Sequence, residues 1–530
     1  MEDGSSLVIL SSPGKDKTNM NARLVHEFLE NSADRRPDKV ALVCDGQRLT
    51  YGEIETRANR VANALLANGI KRGDRVVLYL PNCVELVVGI FATLKAGAVF
   101  VVVNHTTKQD KLAYILNNCQ AGALMTWPAR AGLAARFLRG IPSLQFSIVT
   151  LGPFNREEAP GLLLYEELLT GYPSQRPRKI NVDLDLACLI YTSGSTGEPK
   201  GVMSDHSNVL FAAGSITTYL QSVEDDVVID VLPLSFDYGL YQLLMVFSFG
   251  GRLVLEKGFA YPAEVLARIA QERVTGFPGV PTIYSVLVPM DLSSYDLSSL
   301  RYMTNTAAAL PTAHIQRIRE KFPDVRLYSM YGLTETKRTL YLPPEQLDRR
   351  PDSVGVAIPG TEVWLEDEHG KRPGPGQVGE LVVRGRHVMR GYWGDPAATA
   401  LRFRPGPIPG EQVCYTGDLF RMDDEGFLYF VARKDDIIKS RGEKVSPKEI
   451  ENVLYKLSGV QDAAVIGFPD PVMGQAIKAF IVPNGSGLTE MEVLRHCRAH
   501  LEDFMIPRVV EFCAELPKTS SGKIKKTELK

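Results

Sequence analysis

The residues of this chain best suited to chemistry stand in one string, Tyr191-Thr192-Ser193-Gly194-Ser195-Thr196-Gly197-Glu198-Pro199-Lys200-Gly201, just after the apolar run Leu186–Ile190. Its glycines let a backbone come close to an anion, and the hydroxyls of Thr192, Ser193, Ser195 and Thr196 stand beside the Lys200 ammonium as donors to phosphate oxygens. A loop of this make-up grasps phosphate. No Lys-Ser/Thr pair follows a glycine at Walker spacing, so P-loop NTPase chemistry is disfavoured. A generic Gly/Ser run is more often a plain surface turn, but this eleven-residue string is far more specific than that.

A loop of this kind needs rigid elements on both sides, and the surrounding pattern supplies them. Val40–Cys44 reads as a strand, Thr50 as the N-cap of a helix running through Leu66, Arg75–Leu80 as a strand, and the next helix reaches Lys95 before a strand at Val99–Val103. Val99–Val103 is apolar on both faces, as a parallel sheet between helix layers requires. The alternation returns at Leu186–Thr192, Val227–Leu232, Arg252–Leu255 and Val274–Phe277. After about residue 355 the pattern changes to short strands at Glu362–Leu365, Gly379–Val383 and Phe427–Phe430 joined by Gly/Pro turns. Beyond Asp435 a helix is expected at Pro447–Leu457, strands at Ala463–Gly467 and Lys478–Val482, and a helix at Glu490–Leu501. The expected fold class is therefore α/β: a large N-terminal domain, residues 1–434, of layered α/β subdomains plus a β-rich subdomain over about 355–434, and a small α+β C-terminal domain, residues 435–530.

Composition agrees with an enzyme of several domains. At 530 residues the chain exceeds what one core supports, and 45% hydrophobic residues exclude global disorder. A net charge of −2 gives no bulk reason to expect nucleic acid as a partner. Seven scattered cysteines, none at metal or redox spacing, suit a reducing compartment. The start lacks a signal-peptide pattern, and Lys95 and two glycines interrupt the longest apolar stretch, so a cytoplasmic protein without a membrane span is expected.

Further strings, in order, carry a resemblance. Tyr331-Gly332-Leu333-Thr334-Glu335, Gly379-Glu380-Leu381 with Arg390-Gly391-Tyr392-Trp393, Tyr415-Thr416-Gly417-Asp418, Arg433-Lys434-Asp435-Asp436-Ile437-Ile438-Lys439 to Gly442, and Lys518-Thr519-Ser520-Ser521-Gly522-Lys523 follow the phosphate loop. Together they resemble the motifs of the adenylate-forming (AMP-binding) superfamily, which includes acyl-CoA synthetases, adenylation domains that load carrier proteins, and beetle luciferases. The resemblance spans nearly the whole chain. It implies that a carboxylate attacks the α-phosphorus of ATP to give an acyl-adenylate and pyrophosphate, after which a thiol takes the acyl group and AMP leaves.

On that resemblance, residues 192–197 and Lys200 would bind the phosphates, and Tyr331 and Gly332 would meet adenine. Thr334 would hold the α-phosphate, Glu335 would ligate Mg²⁺, Asp418 would take the ribose hydroxyls with Arg433 in support, and Lys523 would bridge the carboxylate and the α-phosphate. The small domain would turn about Asp435 between half-reactions, exchanging Lys523 for the segment Lys439–Gly442, with Gly442 lining the thiol tunnel. The implied cofactors are ATP, Mg²⁺ and coenzyme A, or the phosphopantetheine of an acyl or peptidyl carrier protein.

The acid is less legible. Phe236 stands where the family has its gate aromatic and Asp237 resembles amino-acid-activating members, in which an aspartate pairs with the substrate ammonium. A buried carboxylate needs a cation or donor, and Tyr238 and Tyr241 would shorten the pocket. These residues point to a small or polar acid, amino and imino acids among the candidates, with an acyl-CoA synthetase as the leading reading and an amino- or imino-acid adenylation enzyme loading a carrier protein as the alternative. A luciferase-like oxidase has no specific support, and intact Lys200, Glu335, Asp418 and Lys523 argue against a degenerate binding protein. One departure from the family is Ala307-Ala308-Ala309, where relatives carry a glycine-rich strip against adenine.

Overall fold

The computed structural model describes residues 22–150, 152, 161–193, 199–306, 310–440, 443–470, 474–485, 487–519 and 523–529. Four sheets organise them. In the first, Leu162–Leu164, Phe146–Val149, Ala121–Thr126, Arg75–Leu78, Val99–Val102 and Leu186–Ser193 lie side by side and parallel, and Pro199–Asp205 closes the edge antiparallel to Leu186–Ser193. In the second, six parallel strands from Arg326–Tyr331 to Val40–Cys44 are flanked by antiparallel ends.

The two parallel sheets share one apolar core. Helices Val84–Lys95 and Asp237–Phe249 are buried on every side, and Phe91 stacks on Phe247 with ring centroids 5.1 Å apart. A helix apolar all round has no solvent face, so both must lie between layers. The sheet patterns hold with small shifts. The expected strand Val274–Phe277 is Gly276–Gly279, because Val274 is taken by a hydrogen bond back to Ile269 at the end of the preceding helix. Thr50 caps the helix Tyr51–Ala67 with a full capping box to Glu53.

Lys95 is not a break in the apolar stretch but a buried anchor. Its ammonium lies 2.8 Å from Glu30 and 2.9 Å from Glu55. Burial alone would raise the Glu30 carboxyl, but Lys95 together with His26 and Lys179 holds it at about 2.

The third sheet is antiparallel and runs from Glu362–Glu366 to Leu428–Arg433, the β-rich part that the Gly/Pro turns announce. The fourth, after Asp435, centres on the long hairpin Val460–Asp470 and Gly474–Pro483, with helices Pro447–Leu454 and Glu490–His500 on its core. Among the described residues no helix is long and apolar enough to cross a membrane.

A buried histidine makes the first of these layers acid-sensitive. His206 opens the helix His206–Tyr219, and its Nδ1 accepts the Val25 backbone N–H at 3.0 Å. Burial lowers its pKa from 6.5 to about 4. The folded state therefore binds fewer protons than the unfolded state between these values. Its contribution, about 3 kcal/mol, is complete above pH 6.5 and is lost as pH falls toward 4. The urea midpoint is expected to drop between pH 7 and pH 5, and to drop less in His206→Gln; equal drops in both proteins would refute the assignment.

Candidate active site

The phosphate-grasping string is a β-hairpin. Leu186–Ser193 and Pro199–Asp205 pair so that Thr192 faces Lys200 across the ladder. Gly194, Ser195, Thr196 and Gly197 lie outside the described residues, as does the Ser193 side chain. The second strand docks on the segment after residue 388: Trp393 donates its backbone N–H to Gly201 O at 2.8 Å, and Met203 donates to Gly391 O at 2.9 Å. That docking places the Lys200 ammonium 3.6 Å from Asp395 and 5.4 Å from the centre of the Tyr392 ring.

A second hairpin presents the carboxylate. Arg326–Tyr331 turns back into Leu340–Leu342, with Tyr331 opposite Leu340, so residues 332–339 form its loop. Gly332 is required there, because a Cβ would sit 1.9 Å from the Lys337 carbonyl oxygen. Thr334 and Glu335 lie partly buried on this loop. Glu335 Oε1 accepts the Tyr392 phenol at 2.6 Å. Burial and the Glu335 carboxylate push that phenol well above its ordinary value, so Tyr392 stays a donor. Burial disfavours the charge of Arg402, yet Glu335 and Tyr392 outweigh it and hold the guanidinium firmly protonated.

Asp418 and Arg433 oppose each other in the antiparallel sheet. Asp418 Oδ2 accepts the Tyr331 phenol at 2.7 Å, and Oδ1 lies 3.7 Å from Arg433 Nε. Burial raises the Asp418 carboxyl, while Arg433, Tyr331 and Lys523 pull it down. A carboxyl group held between a phenol and a guanidinium, with two oxygens to offer, suits a vicinal diol.

Lys523 reaches the same place from the other end of the chain. Its backbone is tied to Thr519: the Lys523 N–H donates to Thr519 Oγ1 at 3.1 Å, and the Lys523 carbonyl accepts from Thr519 N at 2.7 Å. Burial and the nearby Arg433 guanidinium lower its ammonium, while Asp237, Asp418 and Glu335 act to raise it. Arg433, Asp237, Asp418 and Glu335 thus all act on the charge of Lys523. Asp435 is an exposed turn residue shortly after Arg433, and the Lys439 backbone lies opposite Lys444 in the C-terminal sheet. Gly442 and Ala307–Ala309 lie outside the described residues.

Phe236 is the N-cap of the helix Asp237–Phe249, and its ring stands perpendicular to that of Tyr238 at 6.3 Å. Gly239 lets the first turn press on the preceding chain, where a Cβ would meet Pro233 O at 2.6 Å. Tyr238 donates to the Thr304 carbonyl at 2.9 Å, and Tyr241 is fully buried. Asp237 already has a cation from the protein: Arg338 Nη1 lies 4.0 Å from its Oδ2, both side chains being almost fully buried. Arg338 and Lys337 are missing from the sequence reading, as are Tyr392 and Arg402 as site residues. Two adjacent cations directly after Thr336 were the visible signal, since nothing in one sequence says that a Lys-Arg pair turns inward.

Among the described residues no group of three or more His, Cys, Asp or Glu side chains could hold a metal ion. The single carboxylate of Glu335 fits Mg²⁺, which takes one or two protein carboxylates and completes its shell with phosphate and water.

Known proteins agree with this geometry. The model of the AMP-binding enzyme family matches residues 29–393, and that of the AMP-binding enzyme C-terminal domain matches residues 449–523. A long-chain-fatty-acid–CoA ligase of Bacillus subtilis is 32% identical over 96% of this chain and 94% of its own length. A feruloyl-CoA synthase of an Amycolatopsis species is 34% identical over 93% of this chain and 96% of its own length. The crystal structure of the anthranilate CoA ligase AuaEII with anthranoyl-AMP superposes with a TM-score of 0.88 at 30% identity, covering 96% of each chain. With both domains matched and such relatives aligned nearly end to end, the chain belongs to the AMP-binding enzyme family, as an ATP-dependent, AMP-forming acid–thiol ligase.

Proposed function

We propose that this enzyme is an acyl-CoA synthetase for a short or polar carboxylic acid, with its reaction centre formed by Lys523, Thr334, Glu335, Lys200, Asp418 and Arg433. The observation that carries the reading is the pair of fixed carboxylates, Glu335 on the Tyr392 phenol at 2.6 Å and Asp418 on the Tyr331 phenol at 2.7 Å, both of which act with Asp237 on the charge of Lys523. An acid and ATP repel each other, so the enzyme must chiefly neutralise and align them. Lys523 bridges the carboxylate and the α-phosphate. A carboxylate oxygen then attacks the α-phosphorus and pyrophosphate departs. Lys200 and the hydroxyls of residues 192–196 hold the phosphates, and Thr334 steadies the α-phosphate.

Glu335, fixed by Tyr392, holds Mg²⁺, which when bound supplies charge neutralisation on the phosphates. Asp418, set by Tyr331 and Arg433, takes the ribose hydroxyls. In the second half-reaction the thiol sulfur attacks the acyl carbonyl carbon and AMP leaves. The part after residue 434 turns about Asp435, withdrawing Lys523 and bringing in Lys439 and Gly442 beside the pantetheine.

Asp237 has Arg338 as its counter-charge, which removes the reason to seek a substrate ammonium and favours the CoA ligase over an amino-acid adenylation enzyme. The test is ATP–pyrophosphate exchange over short, polar, aromatic, amino and long-chain acids, then CoA against holo-carrier protein as acceptor. Exchange with a short or polar acid and thioester formed on CoA are expected. Exchange only with long-chain acids, or acylation only of a carrier, would overturn the proposal.

A further inference from the structure

Beside Asp237 lie two buried cationic side chains with more hydrogen-bond donors than the described residues satisfy. Lys337 and Arg338 are both buried, Lys337 completely, and Asp237 is the carboxylate set against them, 4.0 Å from Arg338. Among the described residues, Lys337 Nζ, Arg338 Nε and Nη2, and the Tyr241 hydroxyl have no hydrogen-bond partner. Arg338 spends Nη1 on the Lys337 carbonyl at 3.3 Å and lays its guanidinium over the Tyr238 ring at 4.4 Å, which leaves the Nε/Nη2 edge unused. Lys337 stands 5.7 Å over the Tyr241 ring and holds a left-handed backbone, φ 57°, to do so. Buried charges are ordinarily paired, and leaving one unpaired is strongly unfavourable. The unused Nε/Nη2 edge is a fork that matches the two oxygens of a carboxylate.

Resting on the reading that this enzyme adenylates an acid beside Asp237, we propose that the acid is a short dicarboxylic acid whose second carboxylate is received by Arg338 and Lys337, with Tyr241 donating to it. Asp237 then positions Arg338, and the added carboxylate fills the unused Nε/Nη2 edge of its guanidinium. The acid is short because the fully buried rings of Tyr238 and Tyr241 occupy the space beside Asp237. A neutral chain end of the same length would leave every one of these donors unpaired.

The experiment is ATP–pyrophosphate exchange by the full-length enzyme on α,ω-dicarboxylic acids of about three to six carbons against monocarboxylic acids of equal length. One diacid is expected to exceed its matched monoacid in kcat/KM by about 100-fold or more, the scale set by a charged donor left without its partner. In Arg338→Met that diacid should lose most of this preference, chiefly through KM, while exchange with the monoacid is kept or improved; Lys337→Met should show a smaller change in the same sense. Because Arg338 is buried, Lys337→Met and the retained monoacid exchange report that the fold survives. Equal use of matched diacids and monoacids, or equal loss on both in Arg338→Met, would overturn the proposal, the latter by tying Arg338 to the reacting carboxylate or to the fold. Exchange confined to monocarboxylic acids would sink the diacid alone, whereas no exchange with any acid would sink the adenylating reading beneath it.

Discussion

Lys523→Ala is expected to lower ATP–pyrophosphate exchange and overall thioester synthesis by at least about 100- to 1,000-fold, the range found when one group is removed from a charge-stabilising site. Thioester formation from supplied acyl-adenylate should stay within a few-fold of the parent enzyme. The split follows from the placement of the side chain. Its ammonium serves the step in which negative carboxylate meets negative phosphate, and once the acyl-adenylate exists that repulsion is gone. The Lys523 backbone is held by Thr519, whose bonds to it survive the substitution, so loss of folding is not the expected cause. Single-turnover assays of each half-reaction decide the matter, and equal loss in both would end the assignment of Lys523 to adenylation.

Asp418→Ala should act differently, because ribose is present in ATP, in the acyl-adenylate and in AMP. KM for ATP is expected to rise by about 100-fold, the equivalent of roughly 3 kcal/mol from two charge-assisted hydrogen bonds, and affinity for supplied acyl-adenylate should fall in parallel. The substitution also strips the Tyr331 phenol of its acceptor at 2.7 Å, so a melting temperature a few degrees lower is expected as well. Tyr331→Phe separates the two effects. It keeps the carboxylate and should shift KM far less. Should Asp418→Ala leave KM for ATP unchanged, the ribose role would be lost.

Much of the fold is legible because its signals are local. The capping box at Thr50, the two-faced apolar strand at Val99–Val102 and the parallel alternation each depend on a window of about ten residues, and each forms as read. Val274 shows the limit: a strand-forming residue that a hydrogen bond to Ile269 assigns to the helix end instead. The groups proposed to react are legible for a different reason. Backbone approach to phosphate, a hard carboxylate and a lysine after Gly-Ser-type turns restrict both residue type and neighbours, so Lys200, Glu335, Asp418 and Lys523 stand out as strings.

Which charges face each other was not legible. Asp237 read as a carboxylate in want of a cation, and the cation is Arg338, about a hundred residues on, brought beside it when the hairpin loop 332–339 folds against the helix Asp237–Phe249. Tyr392 read as part of a structural string, and its hydroxyl proves to hold Glu335 at 2.6 Å. Lys95 read as an interruption, and two carboxylates from other helices neutralise it in the core. By itself, then, the sequence determined the layered architecture and the types of group that reaction chemistry demands. Tertiary structure alone decided the electrostatic partners, because a charge in a low-dielectric interior answers to what lies a few ångströms away in space, and sequence separation carries no information about that distance.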